Sequence, residues 1–279
     1  MLNIKNLTKK YGDLIAVNEL NLEISKGEFF GLLGPNGAGK STTIRMISTL
    51  TPKTSGEIVI NNKSMDRNLQ EVKMKIGVVP QGNNLEVEMT AWENLELHGR
   101  LYKMPKDIRS KRIQELLEFT ELTDRKDEIV KGYSGGMKRK LMIARALMHN
   151  PDLLLLDEPT VGLDATARRK MWDLLKRLKD KGLTVLLTTH YIEEAEVLCD
   201  RVGLIYGGTL IELDSPQKLI AKVGKYTVEY FENGETKEEF FETREEASVF
   251  ASKLEESVNI RPANLEDVFI KLTNRRVEA

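Results

Sequence analysis

The stretch "GEFFGLLGPNGAGKSTTIRMISTL", residues 27–50, constrains the fold of this chain more than any other. It begins as a short apolar run, passes through a glycine-rich loop and ends with the look of a helix. Gly34 to Ser41 fits G-x-x-x-x-G-K-[ST], a pattern that needs a strand before it and a helix after it. Gly34, Gly37 and Gly39, with Pro35, Asn36 and Ala38 between them, let backbone N–H groups point inward at phosphate oxygens. Lys40 is expected to reach the β- and γ-phosphates, the Ser41 hydroxyl to hold Mg²⁺, and Thr42 to add a phosphate contact. A glycine-rich turn that merely caps a helix is the plainer reading, and the strand–loop–helix context argues against it.

A second apolar run, "DLLLLDEP", ends in two acids. Leu153 to Leu156 show no alternation. That suits a parallel strand covered on both faces, although a buried helix also fits so short a run. Asp157 is expected to serve Mg²⁺ directly or through water. Two acids beside a dianionic phosphate repel, so separate jobs are expected. Glu158 would then polarise the attacking water. The plainer reading has Glu158 capping a turn or forming an ion pair. His190 ends "TVLLTTH", again at the carboxyl edge of an expected parallel strand, where ligands of such sheets bind. It is a candidate contact to the γ-phosphate or the water, against the plainer reading of a satisfied polar residue.

The rest of the chain reads as an α/β protein. "LNIKNLT" alternates imperfectly, with Leu2, Ile4 and Asn6 on one face, and "LIAVNELNLEIS" continues in extended style. "TAWENLELHGRLY" and "IRSKRIQELLEFTEL" carry helical spacing. Strand–helix–strand order around residues 153–190 predicts a parallel sheet. "RVGLIYGGTLIEL" predicts a hairpin about Gly207–Gly208, and "KYTVEYFENGETKEEFFE" one about Asn233–Gly234. Thr243 and Glu246 match a capping box. "SVNIRPA" and "NLEDVFIKLT" close as strand and helix, so a small α+β module is expected after about Gly224.

Charge and cysteine content narrow the function classes. Lys plus Arg total 42 and Asp plus Glu 43, so no global field points to nucleic acid or to a membrane surface. Residues 225–279 hold 8 basic and 13 acidic residues, consistent with a separate acidic module. The single cysteine, Cys199, permits no internal disulfide, fits a reducing compartment and reads as a packed small residue. No window approaches the length of a membrane span. If the protein works at a membrane, another chain is expected to provide the membrane part.

A third motif, "GYSGGMKRK" from Gly132 to Lys140, places Ser134 as an N-cap before a basic helix. Met137, Leu141, Ala144 and Met148 fall on one face, which leaves Lys138, Arg139 and Lys140 pointing mainly to solvent. The ordered set "GPNGAGKST", "VVPQ", "YSGGMKRK", "LLLLDEP", "VGLD" and "TTH" resembles the ATP-binding subunits of ABC transporters over about residues 2–224. The resemblance implies a P-loop ATPase core at 1–224. This core would have a mixed sheet, an N-terminal antiparallel β portion and a helical subdomain at about 82–147, with an accessory α+β module at 225–279.

It also implies roles. Tyr11 would stack on adenine. Gln81 would touch Mg²⁺ or the attacking water and couple to the membrane subunit. Asp164 would lie in a loop crossing between paired subunits. Ser134, Gly135 and Gly136 would bind the γ-phosphate of the ATP held by a partner in a head-to-tail dimer. Tyr133 and Met137 depart from the commonest signature, and "YSGGM" is similar to exporters of the drug-resistance and sodium-extrusion type with a separate ABC-2-type permease. ATP and Mg²⁺ would be the cofactors, and the site of action the inner face of the membrane. Three rival readings are a soluble ABC ATPase without a permease, a module using ATP as a clamp, and a nucleotide kinase. The tandem cassette or coiled-coil insertion that would favour the first is missing. Glu158 and His190 argue against the second, and "YSGGM" with "VGLD" against the third.

Overall fold

Strands β1 (Leu2–Tyr11) and β2 (Leu14–Ile24) open the chain as an antiparallel hairpin. The alternation in "LNIKNLT" fails because β1 bulges: Ile4 pairs with Leu22, but the next pair is Leu7 with Leu20. Asn6 adopts a φ of 48°, and Leu7, rather than Asn6, joins Leu2 and Ile4 in the core. Strand β3 (Phe29–Leu33) is wholly buried and leads through a loop into helix α1 (Lys40–Ile47). Strand β4 (Ser55–Ile60) returns to pair with β1, and β5 (Lys63–Ser64) completes a four-stranded antiparallel sheet. These elements belong to a computed structural model that describes residues 1–232, 235–254 and 257–273.

The short helix α2 (Leu69–Lys73) and strand β6 (Ile76–Val79) precede a helical layer of α3 (Ala91–Leu101), α4 (Lys106–Phe119) and α5 (Gly135–Ala146). Thr90 and Glu93 form a capping box at the start of α3. Arg109 of α4 grips the Glu96 carboxylate of α3 through two hydrogen bonds of 2.6 and 2.7 Å. Next come β7 (Leu153–Asp157), α6 (Ala165–Asp180), β8 (Thr184–Thr189), α7 (Ile192–Leu198), β9 (Arg201–Tyr206) and β10 (Thr209–Asp214). They build a six-stranded sheet in the order β10-β9-β3-β8-β7-β6, parallel throughout except for the β9–β10 hairpin at Gly207–Gly208.

The lack of alternation in "LLLL" has a direct cause. Leu154 and Leu156 pack with the helical layer, whereas Leu153 and Leu155 pack against α1 and the antiparallel sheet. Both faces of β7 are covered, so Leu153 to Leu156 are all apolar. The parallel register pairs Asp157 with Thr188 and Leu33 with Thr189. The ends of β3, β7 and β8 therefore align along one carboxyl edge.

After α8 (Pro216–Ala221), strands β11 (Tyr226–Glu232), β12 (Glu235–Phe241) and β13 (Val258–Pro262) form a separate antiparallel sheet with helix α9 (Arg244–Ala251) against it. The Thr243–Glu246 capping box is present. Strands β11 and β12 pair up to Glu232 and Glu235, and the expected turn at Asn233–Gly234 lies outside the described residues. Helix α10 (Leu265–Thr273) returns to the main body, where Leu265 and Val268 join the core and the Leu265 N–H donates to Glu196 of α7 at 2.8 Å. Cys199 is buried at the end of α7, and burial raises its thiol pKa. Among the described residues no helix is long and apolar enough to cross a membrane.

The Arg109 hydrogen bond holds Glu96 down to about 2, from an ordinary 4.5. A depressed carboxyl stabilises the fold above its unfolded value and loses that contribution as it protonates. Stability should therefore fall between pH 4.5 and 2 more steeply in the parent than in Glu96→Gln, as read by denaturant melts across that range.

Candidate active site

The loop after β3 curls around its own lysine. Lys40 Nζ donates to the carbonyls of Gly34 at 2.8 Å and Pro35 at 3.1 Å, and the Ala38 N–H closes the turn on Pro35 O. Gly39, the cap of α1, has a φ of 103°, and a Cβ there would lie 2.4 Å from Ala16 O on β2. Only glycine fits that combination. Asn36 and Gly37 are exposed at the loop tip, and Thr42 is half-buried in the first turn of α1. Thr43, next to it, is held internally by Gly39 O.

The two acids at the end of β7 are both about 5% exposed, and the structure separates their surroundings. Asp157 accepts from Ser41 Oγ at 2.9 Å and from Thr188 Oγ1 at 2.6 Å. This is an oxygen-only set of one carboxylate and hydroxyls. It fits Mg²⁺, which takes one or two carboxylates and leaves positions for water and phosphate. Glu158 turns the other way: Oε1 lies 3.4 Å from Lys40 Nζ, and Oε2 lies 3.1 Å from His190 Nδ1. The ion pair of the plainer reading is thus real, and its partner is the phosphate-loop lysine. Burial pushes the Lys40 ammonium below its ordinary pKa, while Glu158 pulls it back up.

Glu158 has a φ of 47°, a left-handed backbone that costs a non-glycine residue about 1–2 kcal/mol. Its N–H is held by Thr188 O at 3.1 Å and Thr188 Oγ1 at 3.2 Å. Thr188 was not evident as a site residue from sequence. The signal was the polar end of an otherwise apolar "TVLL" strand. Glu194 of α7 is a second such residue: it is buried, accepts from Thr160 and Trp172, and has its carboxyl pKa raised by burial.

The expectation that Arg139 points to solvent is wrong. Its guanidinium is buried and donates to the carbonyls of Pro159, Asp157, Glu158 and Pro80 at 2.6–2.8 Å. Arg139, Met142, Ile143 and Ala146 form a buried helical stripe that a three-to-four count from Gly136 would have revealed. Lys140 is also half-buried and pairs with Glu121 at 2.6 Å.

Ser134 caps α5 by accepting from the Met137 N–H at 3.3 Å, and Asp164 caps α6 by accepting from Ala167 N–H at 2.8 Å. Ser134, Gly136 and Asp164 share the rim of a depression of about 480 Å³ that none of residues 34–42 lines. Gly135 and Gly136 face Leu163 and Ala167 of the same region. Tyr133 is buried, and its hydroxyl donates to Arg125 O. Tyr11 stands half exposed at the tip of the β1–β2 hairpin under Lys9 Nζ. Gln81 is exposed, and among the described residues no hydrogen bond holds its side chain. The structure therefore joins Lys40, Ser41, Asp157, Glu158 and His190 in one site and Ser134, Gly136 and Asp164 in another. Another depression, of about 930 Å³, opens near Asp152 and Thr184 at the opposite ends of β7 and β8, and none of these residues lines it.

Residues 17–161 match the family described as ABC transporter. The chain is 42% identical to a Nod factor export ATP-binding protein I of Cupriavidus metallidurans, over 99% of this chain and 98% of that one. It is 44% identical to the linearmycin resistance ATP-binding protein LnrL of Bacillus subtilis, over 82% of this chain and 73% of that one. Among solved structures, cbiO1 from Clostridium perfringens, part of an ABC transporter complex, superposes with a TM-score of 0.73 at 30% identity, over 79% and 90% of the two chains. A dimeric ATP-binding cassette in a post-hydrolysis state with ADP and Pi gives 0.69 at 36% identity, over 77% and 98%.

The loop geometry separates two glycines. Gly39→Ala must displace Ala16 O and should weaken binding of a fluorescent ATP analogue by at least roughly tenfold, about 1.4 kcal/mol. Gly37 has a φ of 80° but nothing within 4 Å of its would-be Cβ. Gly37→Ala should therefore cost only the backbone strain of about 1–2 kcal/mol in thermal melts.

Proposed function

This chain belongs to the ABC transporter family, and we propose that it is the ATP-hydrolysing subunit of an exporter whose membrane permease is a separate ABC-2-type chain. The observation that carries the reading is the Glu158 carboxylate set between Lys40 and His190 at the mouth of the phosphate loop. The names of its relatives, export and resistance ATP-binding proteins, support the exporter assignment.

In this reading residues 1–224 are the ATP-binding domain, with a helical subdomain at about 82–147, and residues 225–279 are an accessory module. Residues 34–42 hold the triphosphate, with Lys40 moving from its own loop carbonyls and Glu158 onto the β- and γ-oxygens. Tyr11 stacks on adenine. Ser41, Asp157 and Gln81 would hold Mg²⁺, which when bound would supply positive charge beside the phosphates. Binding ATP takes Lys40 away from Glu158, and Glu158 is then free to accept a proton from the attacking water. His190 orients that carboxylate or the γ-phosphate.

Ser134, Gly135 and Gly136 complete the site of a second molecule, head to tail, with Asp164 in the crossing loop. The support is spatial: in a single chain Ser134, Gly136 and Asp164 line a depression apart from the loop at 34–42. Dimeric cassettes among the structural neighbours agree with pairing. ATP would hold the dimer together and hydrolysis would release it, and the loop of Gln81 with helix α3 would pass that movement to the permease. The protein would then sit peripherally on the inner face of the membrane.

Glu158→Gln should lower steady-state ATPase turnover by about 10²–10⁴-fold and leave an ATP-stabilised dimer visible by size-exclusion chromatography. Turnover at the parent rate would refute the role given to Glu158.

A further inference from the structure

Arg139 is a buried cation with no carboxylate in ion-pair contact among the described residues, which is an unusual way to spend a guanidinium. Its Nε donates to Pro159 O at 2.7 Å. Its Nη2 donates to Asp157 O at 2.8 Å and Glu158 O at 2.6 Å, and its Nη1 to Pro80 O at 2.6 Å and Gln81 O at 3.4 Å. A guanidinium offers five N–H groups in a fixed plane, and here they meet five backbone carbonyls. Burial lowers its pKa to about 10, against the opposing fields of Asp157, Glu194 and Glu158, so it stays charged at neutral pH. Its donors join two separate segments, 80–81 and 157–159, through their backbone carbonyls, which an apolar side chain of similar volume could not do.

Its position decides what it does. Arg139 lies five residues after Ser134 on α5, about 7.5 Å along the helix from the end that carries Ser134–Gly136. Its far end holds the peptide on the carboxyl side of Glu158, while Thr188 holds the peptide on the amino side. Between these two anchors Glu158 keeps its φ of 47°. The same guanidinium also holds the backbone on which Gln81 stands.

We propose that Arg139 is a positioning residue that couples the two nucleotide sites of the dimer. Through it, a partner's phosphate engaged at Ser134–Gly136 sets the backbone of Glu158 and of the Gln81 loop in the chain's own site. The inference rests on the reading of Glu158 as the group that activates water. A shift of the α5 N-terminus moves the Arg139 plane, and the Asp157–Pro159 carbonyls follow it. Lysine keeps the charge but not the planar fork, and glutamine keeps donors but not the charge.

The test uses the full chain with Arg139→Lys and Arg139→Gln. Both should lower kcat by at least roughly tenfold, the scale of a sub-ångström misplacement of a catalytic group. Both should leave the Kd of a fluorescent ATP analogue for the monomer within about twofold. The Hill coefficient for ATP should fall from near 2 toward about 1. Folded variants with parental kcat and Hill coefficient overturn the coupling, as does a lowered melting temperature with both kinetic values retained. If neither variant folds, hydrogen exchange decides. Glu158→Gln chains paired on ATP should protect residues 80–82 and 157–161 beyond the Ser134→Glu, Glu158→Gln double variant, which binds ATP without pairing. Equal exchange in the two overturns the proposal. Failure of the underlying reading looks different: Glu158→Gln itself would then turn over ATP normally.

Discussion

Two carboxylates side by side at the end of a dry strand are the constraint on which the site depends. Asp157 and Glu158 are both buried, and burying two carboxylates is costly unless other elements supply donors or cations. Ser41 and Thr188 serve Asp157, and Lys40 serves Glu158. Removing one partner of a buried pair leaves an uncompensated charge, at a typical cost of about 3–5 kcal/mol. The phosphate loop, β7 and β8 are thus bound to one another electrostatically before any nucleotide arrives. In the proposed reading the same pairing would make the site responsive, because a triphosphate would compete with Glu158 for Lys40.

The parallel register brings these groups together. Asp157 faces Thr188 across the β7–β8 ladder, and Leu33 faces Thr189, so the loop, the acids and His190 emerge at one level. Arg139 approaches the same edge from the helical layer and holds the carbonyls behind the acids. The site is accordingly built by three strands, the helix that follows the loop, and one helix from the helical layer. The last of these also carries the second glycine pair, so Arg139 links the helix that starts at Ser134–Gly136 to the carbonyls behind the acids.

What could be read from sequence was local. The loop at 34–41, the strand ending in Asp157 and the capping box at Thr243 are contiguous patterns whose chemistry lies within a few residues. The bulge in β1 was visible only as broken alternation, because the pairing of Leu7 with Leu20 depends on a second strand. Arg139 was misread because a basic run beside two lysines looks like a solvated face. Its acceptors lie about 20 and about 60 residues away, on carbonyls that no side-chain pattern records. The left-handed Glu158 was likewise hidden, since nothing in "DEP" distinguishes a strained backbone from a relaxed one.

The central claim is that one hydrolytic centre needs two chains, and mixing tests it directly. Lys40→Ala removes a chain's own phosphate lysine, and Ser134→Phe blocks the face offered to a partner. Each variant alone should be inactive. Mixed, they form dimers with one centre intact, built from the unaltered Lys40 of one chain and the unaltered Ser134 of the other, so ATPase activity should reappear. If the mixture stays as inactive as its components under conditions where mixed dimers form, Ser134–Gly136 serve their own chain's nucleotide and the composite site is wrong.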